Sequence, residues 1–227
     1  SVNVSREPTD DPRIDNAVVE VKEDPAAGFI GVTAGVGDAA GASVGVNYTN
    51  PNLFGDARVL KVGGTLGTRV STFSVGYLDR AWREGGEHGD DSLELNAYGQ
   101  SSRYDGYRER IIGASAEVGR PLTEYTKALV RLRVENVDLK RDDSDVEEDM
   151  DTYQVYAIRG LWVRDKRDDE RWTTSGTLVN VGLEPGYARD WMLKLTHRFE
   201  GYQALDRDKD WVYAYQHTAG LMPHDAD

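Results

Sequence analysis

The sequence predicts an all-β, antiparallel fold, and two observations lead to it. Twelve Tyr, five Trp, four Phe and 24 Gly accompany only seven Pro, and this composition favours strands and turns over helices. Apolar and polar residues alternate in segment after segment, which is typical of strands because successive side chains point to opposite faces. About eleven strands are predicted, at residues 29–36, 41–49, 58–68, 70–78, 91–101, 107–119, 126–138, 151–163, 176–184, 191–201 and 211–221.

The composition argues against several classes of function. The 227 residues carry a formal net charge of −13, which argues against a nucleic-acid partner because neutralising phosphates needs clustered Lys or Arg. The absence of Cys excludes disulfides and thiolate metal sites. No stretch approaches the roughly 18 to 20 apolar residues of a transmembrane helix, and no signal peptide is present, so we expect a mature or excised segment.

The alternation gives each predicted strand an apolar face and a polar face. The polar face mixes Gly, Ser and Thr with charges such as Lys61, Glu117, Arg131 and Arg133, as a hydrated barrel lumen does. Tyr and Trp gather near strand ends, where such rings suit lipid headgroups. A soluble sandwich also alternates, but these features favour a transmembrane β-barrel. The residues predicted to face lipid are Val44, Val46, Leu60, Val62, Phe73, Val75, Tyr77, Val130 and Leu132.

Three stretches carry a family resemblance. Val18 to Pro25, followed by Gly28 and alternating small residues, resembles the junction between a last POTRA domain and a first barrel strand in the BamA superfamily. Tyr48 to Gly55 is similar to that family's first periplasmic turn. Asp165 to Asp169 followed by Trp172 to Gly176 resembles its Asp-x-Arg-Asp…Phe-Pro-Thr-x-Gly segment between the eighth and ninth strands, although a Pro-rich turn is missing here.

The resemblance implies a domain organisation. Residues 1–27 would end a POTRA-like periplasmic domain and linker, and residues 28–227 would form about the first eleven strands of a sixteen-stranded barrel. The family's long sixth external loop would begin near Met222. Eleven strands leave unpaired edges, which hydrocarbon penalises, so we expect a truncated, split or engineered chain, or closure by another chain.

The resemblance also implies a function in the outer membrane, bacterial in the first instance and organellar as the alternative. The protein would fold and insert β-barrel proteins or translocate polypeptides. Its partners would be membrane lipids, client outer-membrane polypeptides and accessory assembly subunits, with no cofactor and no nucleic acid. Two rival functions stay open, a passive structural or pore-forming barrel, designed or chimeric ones included, and a soluble all-β binding module.

Two groups of residues are candidate sites. The first strand is short and rich in Gly and Ala, so it would pair weakly at the barrel seam and let a client strand add to its edge. Its seam residues are Phe29, Gly31, Thr33 and Gly35. Asp165, Arg167 and Asp168 form either a surface ion pair in a charged turn or, as the resemblance implies, a luminal charge cluster that docks the sixth loop.

No enzyme chemistry is predicted. The four His residues, at 88, 197, 217 and 224, are scattered singly and lack the local spacing of metal ligands, so solvated or membrane-girdle positions are expected. The acidic run from Asp142 to Asp149 lacks the Gly and the ligand spacing of a calcium loop. Carboxylates occur in charge runs, and none has the setting of a catalytic acid or base.

Overall fold

The computed structural model describes residues 2–8, 15–21, 28–38, 41–142, 147–208 and 210–222, and all regular secondary structure in them is β-strand. A two-stranded sheet pairs β1 (Val2–Pro8) with β2 (Asp15–Val21). The second sheet contains β3 (Phe29–Gly37), β4 (Gly41–Leu53), β5 (Arg58–Gly67), β6 (Val70–Gly86), β7 (Gly89–Tyr104), β8 (Tyr107–Thr123), β9 (Thr126–Asp142), β10 (Glu147–Asp165), β11 (Gly176–Ala188), β12 (Asp190–Ala204) and β13 (Val212–Leu221).

The larger sheet is an antiparallel meander of eleven strands. Each strand pairs with its neighbours in the sequence, from β3 at one edge to β13 at the other. The prediction of an all-β, antiparallel fold with eleven strands is therefore confirmed. The assignment of residues 1–27 to a POTRA-like domain stays a prediction, because a two-stranded hairpin is common to many folds.

Several strands are longer than predicted because bulges continue the pairing where the alternation stops. In β6 the register with β7 shifts between Asp79 and Arg83 and again before Gly86. Asp79 accepts a hydrogen bond from the backbone N–H of Ala81 at 3.1 Å, which supports this irregular stretch. A further shift in β4 follows Asn50. Such bulges insert unpaired residues, so the period of two is lost there.

The eleven-stranded sheet has two chemically different faces. Across β8 to β10, the register sets Ala116 beside Leu132 and Leu132 beside Ile158 on one face, named here the apolar face. Arg131 and Glu117 lie opposite each other on the other face, the polar face. The apolar side chains are the more exposed, with Leu132 52% and Phe73 55% exposed.

Large apolar side chains in the described residues lie mainly on the surface. The buried hydrophobic residues there are Val59, Val137, Val155, Ala157, Val163 and Leu178. In the part of the chain that the structure describes, no helix is long and apolar enough to cross a membrane. The sheet therefore exposes an extended apolar surface, and surfaces of this kind mark contacts with lipid or another protein.

Candidate functional site

The first strand of the large sheet, β3, has one open edge. It pairs with β4 from Phe29 opposite Thr49 to Gly37 opposite Gly41, and it has no partner on its other side among the described residues. Its side chains are exposed, with Val32 71% and Val36 89% exposed. The backbone N–H and C=O groups along such an edge can pair with another strand.

Phe29, Gly31, Thr33 and Gly35 all lie on the polar face of β3, at one end of the sheet. The space beside them differs: a Cβ at Gly35 would meet nothing within 4 Å, whereas a Cβ at Gly31 would lie 2.6 Å from the Asn47 side chain. Gly31 accepts a long hydrogen bond of 3.4 Å at its carbonyl from the Asn47 amide. The structure thus places the predicted seam residues along the edge strand, which pairs with β4 over all nine of its residues.

The polar face contains a charge network that joins strands that are not adjacent. Arg133 of β9 donates to Glu135 on its own strand and to Glu184 of β11, each at 2.6 Å. The Tyr98 hydroxyl of β7 donates to Glu135 across β8. Gly113 of β8 makes room for this contact, because a Cβ there would lie 2.8 Å from both Glu135 and Tyr98.

The network shows that side chains converge on the polar face. Glu184 lies two strands from Arg133, and Tyr98 lies two strands from Glu135. Neighbouring strands are only about 4.8 Å apart, so side chains two strands apart meet most readily on the concave side of a curved sheet. Arg131 and Glu117 add a pair on adjacent strands at 2.8 Å. Sequence reasoning placed Arg131, Arg133 and Glu117 on this face but did not identify the partners Tyr98 and Glu184.

The ten-residue turn between β10 and β11 holds the second candidate group. The Arg167 guanidinium donates to both carboxylate oxygens of Asp165, at 2.9 and 2.6 Å. Glu200 and Tyr202 of β12 lie close enough to act on Arg167 electrostatically, and Tyr202 donates to Glu200 at 3.0 Å. Asp165 and Arg167 therefore belong to a charge cluster with β12.

Asp168 supports the turn itself. Its carboxylate accepts hydrogen bonds from the backbone N–H of Thr174 at 2.9 Å and of Ser175 at 3.0 Å. Asp169 accepts from the N–H groups of Trp172 and Arg171, both at 2.7 Å. The two hydrogen bonds, of which the one from Trp172 has the larger effect, hold the pKa of Asp169 below its usual 3.8.

The last residue of this motif, Gly176, has a backbone conformation that only Gly adopts easily. Its φ is +111°, and a Cβ there would lie 2.1 Å from the Lys166 carbonyl oxygen. Lys166 in turn donates its N–H to the Thr177 carbonyl at 2.8 Å. Residues of the family-like segment therefore shape the turn. Asp168 and Asp169 accept its backbone hydrogen bonds, and Gly176 lies where the backbone comes too close to the Lys166 carbonyl for a side chain.

All nine residues predicted to face lipid lie on the apolar face, as the register shows. The register puts Val44 and Val46 of β4, Val75 of β6 and Leu132 of β9 on the same face of the sheet, so they belong to one continuous surface. An aromatic pair flanks this surface where β11 and β12 meet: Tyr187 and Trp191 lie with their ring centres 5.7 Å apart. That lipid covers this face stays a prediction.

Two of the scattered histidines meet on the apolar face. His197 of β12 and His217 of β13 lie with their ring centres 5.7 Å apart, although twenty residues separate them in the sequence. His88 lies in the turn between β6 and β7, and His224 lies outside the described residues. Among the described residues, no three His, Cys, Asp or Glu side chains come together as a metal-binding group.

The comparison with protein families decides the identification. The Omp85 superfamily domain matches residues 29–225, which is most of the chain and begins at the first residue of β3. The chain belongs to the Omp85 superfamily. The resemblance to the BamA superfamily drawn from the sequence is thereby confirmed, and the match covers the eleven-stranded sheet while leaving out β1 and β2.

A solved structure shows the same fold as this Omp85 chain. The crystal structure of BamA from Haemophilus ducreyi lacking POTRA domains 1–3 matches with a TM-score of 0.72 and 18% sequence identity. The match covers 98% of this chain and 46% of the BamA chain, so this chain spans less than half of that protein. No curated protein matches the chain.

Proposed function

We propose that this Omp85 chain forms the seam side of an outer-membrane barrel that folds and inserts β-barrel proteins or translocates polypeptides. The observation that carries the proposal is the composition of β3, the strand at which the family match begins: its polar face holds Gly31, Thr33 and Gly35, and its apolar side chains are exposed. A client strand would pair with that edge by β-augmentation. Accessory subunits and a bacterial rather than organellar membrane belong to the same proposal.

The dimensions of the apolar face support a place in the outer membrane. On β9 it extends from Ala128 to Val134, and polar Asn136 follows. Six steps of about 3.4 Å give about 20 Å along the strand, which a tilt of about 40° projects to about 15 Å, so this apolar stretch fits within the apolar band of about 25 Å on outer-membrane barrels. The polar face with Arg133, Glu135 and Glu184 would then line a hydrated lumen.

Photo-cross-linking tests whether β3 receives client strands. A benzoylphenylalanine at position 32 in the full-length protein is expected to cross-link to a newly exported barrel protein. The matched control is position 130, which is also an exposed Val on the apolar face but lies in β9, with a paired strand on each side. Equal cross-linking at both positions, or cross-linking at 130 alone, would contradict the proposal.

A disulfide lock tests whether the seam must open. Because the chain has no native Cys, a Cys introduced in β3 can be joined to one in the strand that closes the barrel, and insertion is expected to stop until reductant is added. The control joins Ala34→Cys to Val44→Cys, a register pair within β3 and β4 that leaves the seam free. Unimpaired insertion by the locked barrel would exclude the seam role, and conductance without client folding would favour a passive pore.

A further inference from the structure

The strand β11 contains a proline at a position where strands rarely have one. Pro185 lies within β11, which pairs with β10 on one side and with β12 on the other. Proline has no N–H to donate to a ladder, so it is normally confined to edge strands, strand starts and bulges. Pro185 keeps its register with Leu193 of β12. The effect of the missing N–H is seen on the other side, toward β10.

The ladder between β10 and β11 is interrupted beside this proline. Register pairs reach Ala157 with Gly186 and resume at Gly160 with Leu183. Between them, the pairs at positions 158 and 159 of β10 are missing from the described ladder, whereas β10 pairs with β9 without a break at the same positions. The interruption is therefore confined to one side of β10.

The interruption leaves one backbone acceptor without its strand donor. In an antiparallel ladder the residues of every second pair exchange hydrogen bonds, and the Lys166 N–H donates to the Thr177 carbonyl at 2.8 Å in this register. In steps of two residues back along β10, Ile158 with Pro185 is such a pair. Because proline has no N–H, the Ile158 carbonyl receives no hydrogen bond from its partner in β11.

This carbonyl lies within the apolar part of the sheet. On the apolar face of β10, Ile158 lies between Tyr156 and Gly160, and it is 53% exposed. Toward the start of β10 the same face becomes polar at Gln154, whose side chain accepts a hydrogen bond from the Tyr156 hydroxyl. An unpaired backbone group is costly in hydrocarbon, because no water replaces the missing partner. This point of the surface therefore favours a molecule that brings a donor.

An apolar groove, named here the Pro185 groove, opens at the same place. Its volume is about 550 Å³, within the range of about 300–1,000 Å³ that is typical of small-ligand sites. Its lining includes Leu132, Ile158, Pro185, Tyr187 and Trp191. The rings of Tyr187 and Trp191 meet edge to face beside the β11–β12 turn, where such rings suit lipid headgroups. The groove is thus apolar, with one unpaired acceptor beside it and aromatic rings at one end.

A second groove on the apolar face has nearly the same volume but an unbroken ladder. This Leu95 groove measures about 500 Å³ and lies over β6 to β9, with Val75, Leu95 and Ala116 among its lining residues. The register there pairs Val75 with Ala97 and Leu95 with Ala116 without interruption. The two grooves differ in the unpaired carbonyl, so the Leu95 groove serves as an internal control.

We propose that the Pro185 groove binds a membrane lipid that carries a hydroxyl or amide N–H next to its acyl chain. The lipid donates a hydrogen bond to the Ile158 carbonyl, and its chain lies along Leu132 and Ile158. Tyr187 and Trp191 contact the headgroup region, so the lipid belongs to the leaflet on the side of the β11–β12 turn. The lipid site depends on the proposed function only for the membrane around the apolar face.

NMR can observe the Ile158 carbonyl directly, because Ile158–Arg159 is the only Ile–Arg pair in the 227 residues. Ile labelled with ¹³C at the carbonyl and Arg labelled with ¹⁵N give a resonance that is identified by its loss in the Arg159→Lys protein. The full-length protein is placed in nanodiscs of dioleoyl phosphatidylcholine, which has no hydroxyl or N–H. Monoolein, which carries two hydroxyls, is expected to shift the carbonyl resonance downfield. Methyl oleate has the same acyl chain without a donor and should leave it unchanged.

Competition against a diazirine-bearing monoolein measures the affinity of both probes. Monoolein is expected to bind about fivefold more tightly than methyl oleate, which is the effect of one net hydrogen bond. Pro185→Ala supplies the missing N–H and restores the ladder. In that protein the Ile158 resonance should lie downfield without any lipid, and the preference for monoolein should disappear.

A matched pair of variants separates the site from general attraction to apolar surface. Ile158→Trp fills the Pro185 groove and is expected to abolish photo-labelling there. Leu95→Trp fills the Leu95 groove and is expected to leave that labelling unchanged. The two side chains are similarly exposed, at 53% and 43%, so neither substitution adds bulk to a buried position. Heat-modifiable gel mobility checks that each variant is folded.

Four outcomes would overturn the lipid site: equal binding of the two probes, a preference that persists in the Pro185→Ala protein, equal loss of labelling in the two Trp variants, or an Ile158 resonance that monoolein does not shift. None of them depends on client insertion. A protein that fails these tests and still cross-links clients through position 32 would contradict the lipid site alone. A protein that binds monoolein as expected but never cross-links a client would contradict the proposed function alone.

Discussion

At the scale of single residues, the 166–175 turn shows how the family-like motif acts in this chain. Asp168 and Asp169 accept backbone hydrogen bonds within the turn, and Gly176 closes it against Lys166. The resemblance alone implied one charge cluster of Asp165, Arg167 and Asp168. The structure shows the ion pair of Asp165 with Arg167 and the backbone hydrogen bonds of Asp168, which depend on backbone angles that the residue pattern does not contain. Whether the three residues dock a loop stays a prediction.

Gly176→Ala is expected to destabilise the barrel by about 1–3 kcal/mol, because its φ of +111° is strained for any residue with a Cβ. The added Cβ would also press on the Lys166 carbonyl. The matched control is Gly86→Ala, where a Cβ meets nothing within 4 Å. Urea unfolding in detergent measures both, and equal midpoints would show that the turn tolerates a side chain.

The Asp169 carboxyl is expected to titrate below its ordinary pKa of 3.8, since the Trp172 and Arg171 amides favour its charged form. A lowered pKa in the folded state means that its stabilisation is present above pH 3.8 and is lost as the pH falls through the folded value. Carboxyl ¹³C NMR measures the midpoint. A peptide of residues 166–175 is the control, and the same midpoint in peptide and barrel would refute the hydrogen-bonded carboxylate.

At the scale of strands, alternation predicted all eleven members of the large sheet. It failed at strand ends, where the bulge after Asp79 continues β6 to Gly86. It also failed for partners two strands apart, because Tyr98 and Glu184 reach Glu135 and Arg133 only through the curvature and register of the folded sheet. A polar residue such as Glu184 within an otherwise apolar or small-residue strand is the signal that points to such a partner.

The Arg133–Glu184 contact is expected to couple β9 to β11 across β10. A double-mutant cycle with Arg133→Met and Glu184→Gln should give a coupling energy of about 1 kcal/mol, because both side chains are largely shielded from solvent, with 29% and 14% exposure. The control cycle pairs Arg131→Met with Glu184→Gln, since Arg131 binds Glu117 instead. Additive effects in both cycles would mean that the Arg133–Glu184 contact contributes nothing to the stability of the folded protein.

At the scale of the whole molecule, the eleven-stranded sheet has two chemically different faces. The apolar face exposes Val130, Leu132 and Phe73, while the polar face carries charged pairs joined across strands. The sequence predicted both faces because the side-chain period of a strand is two. It could not show the Arg133–Glu184 contact, since that contact exists only once three strands are in register.

The most direct test measures which side chains of β9 contact lipid and which contact water when the protein is in a bilayer. Because the chain lacks Cys, single spin-labelled Cys residues can be placed at each position from 128 to 135 in the full-length protein. The account predicts that labels at even positions, such as 130 and 132, collide mainly with oxygen dissolved in lipid. Labels at odd positions, such as 131 and 133, should collide mainly with a water-soluble nickel chelate. Nickel access at the even positions, or no alternation at all, would contradict a lipid-facing apolar surface.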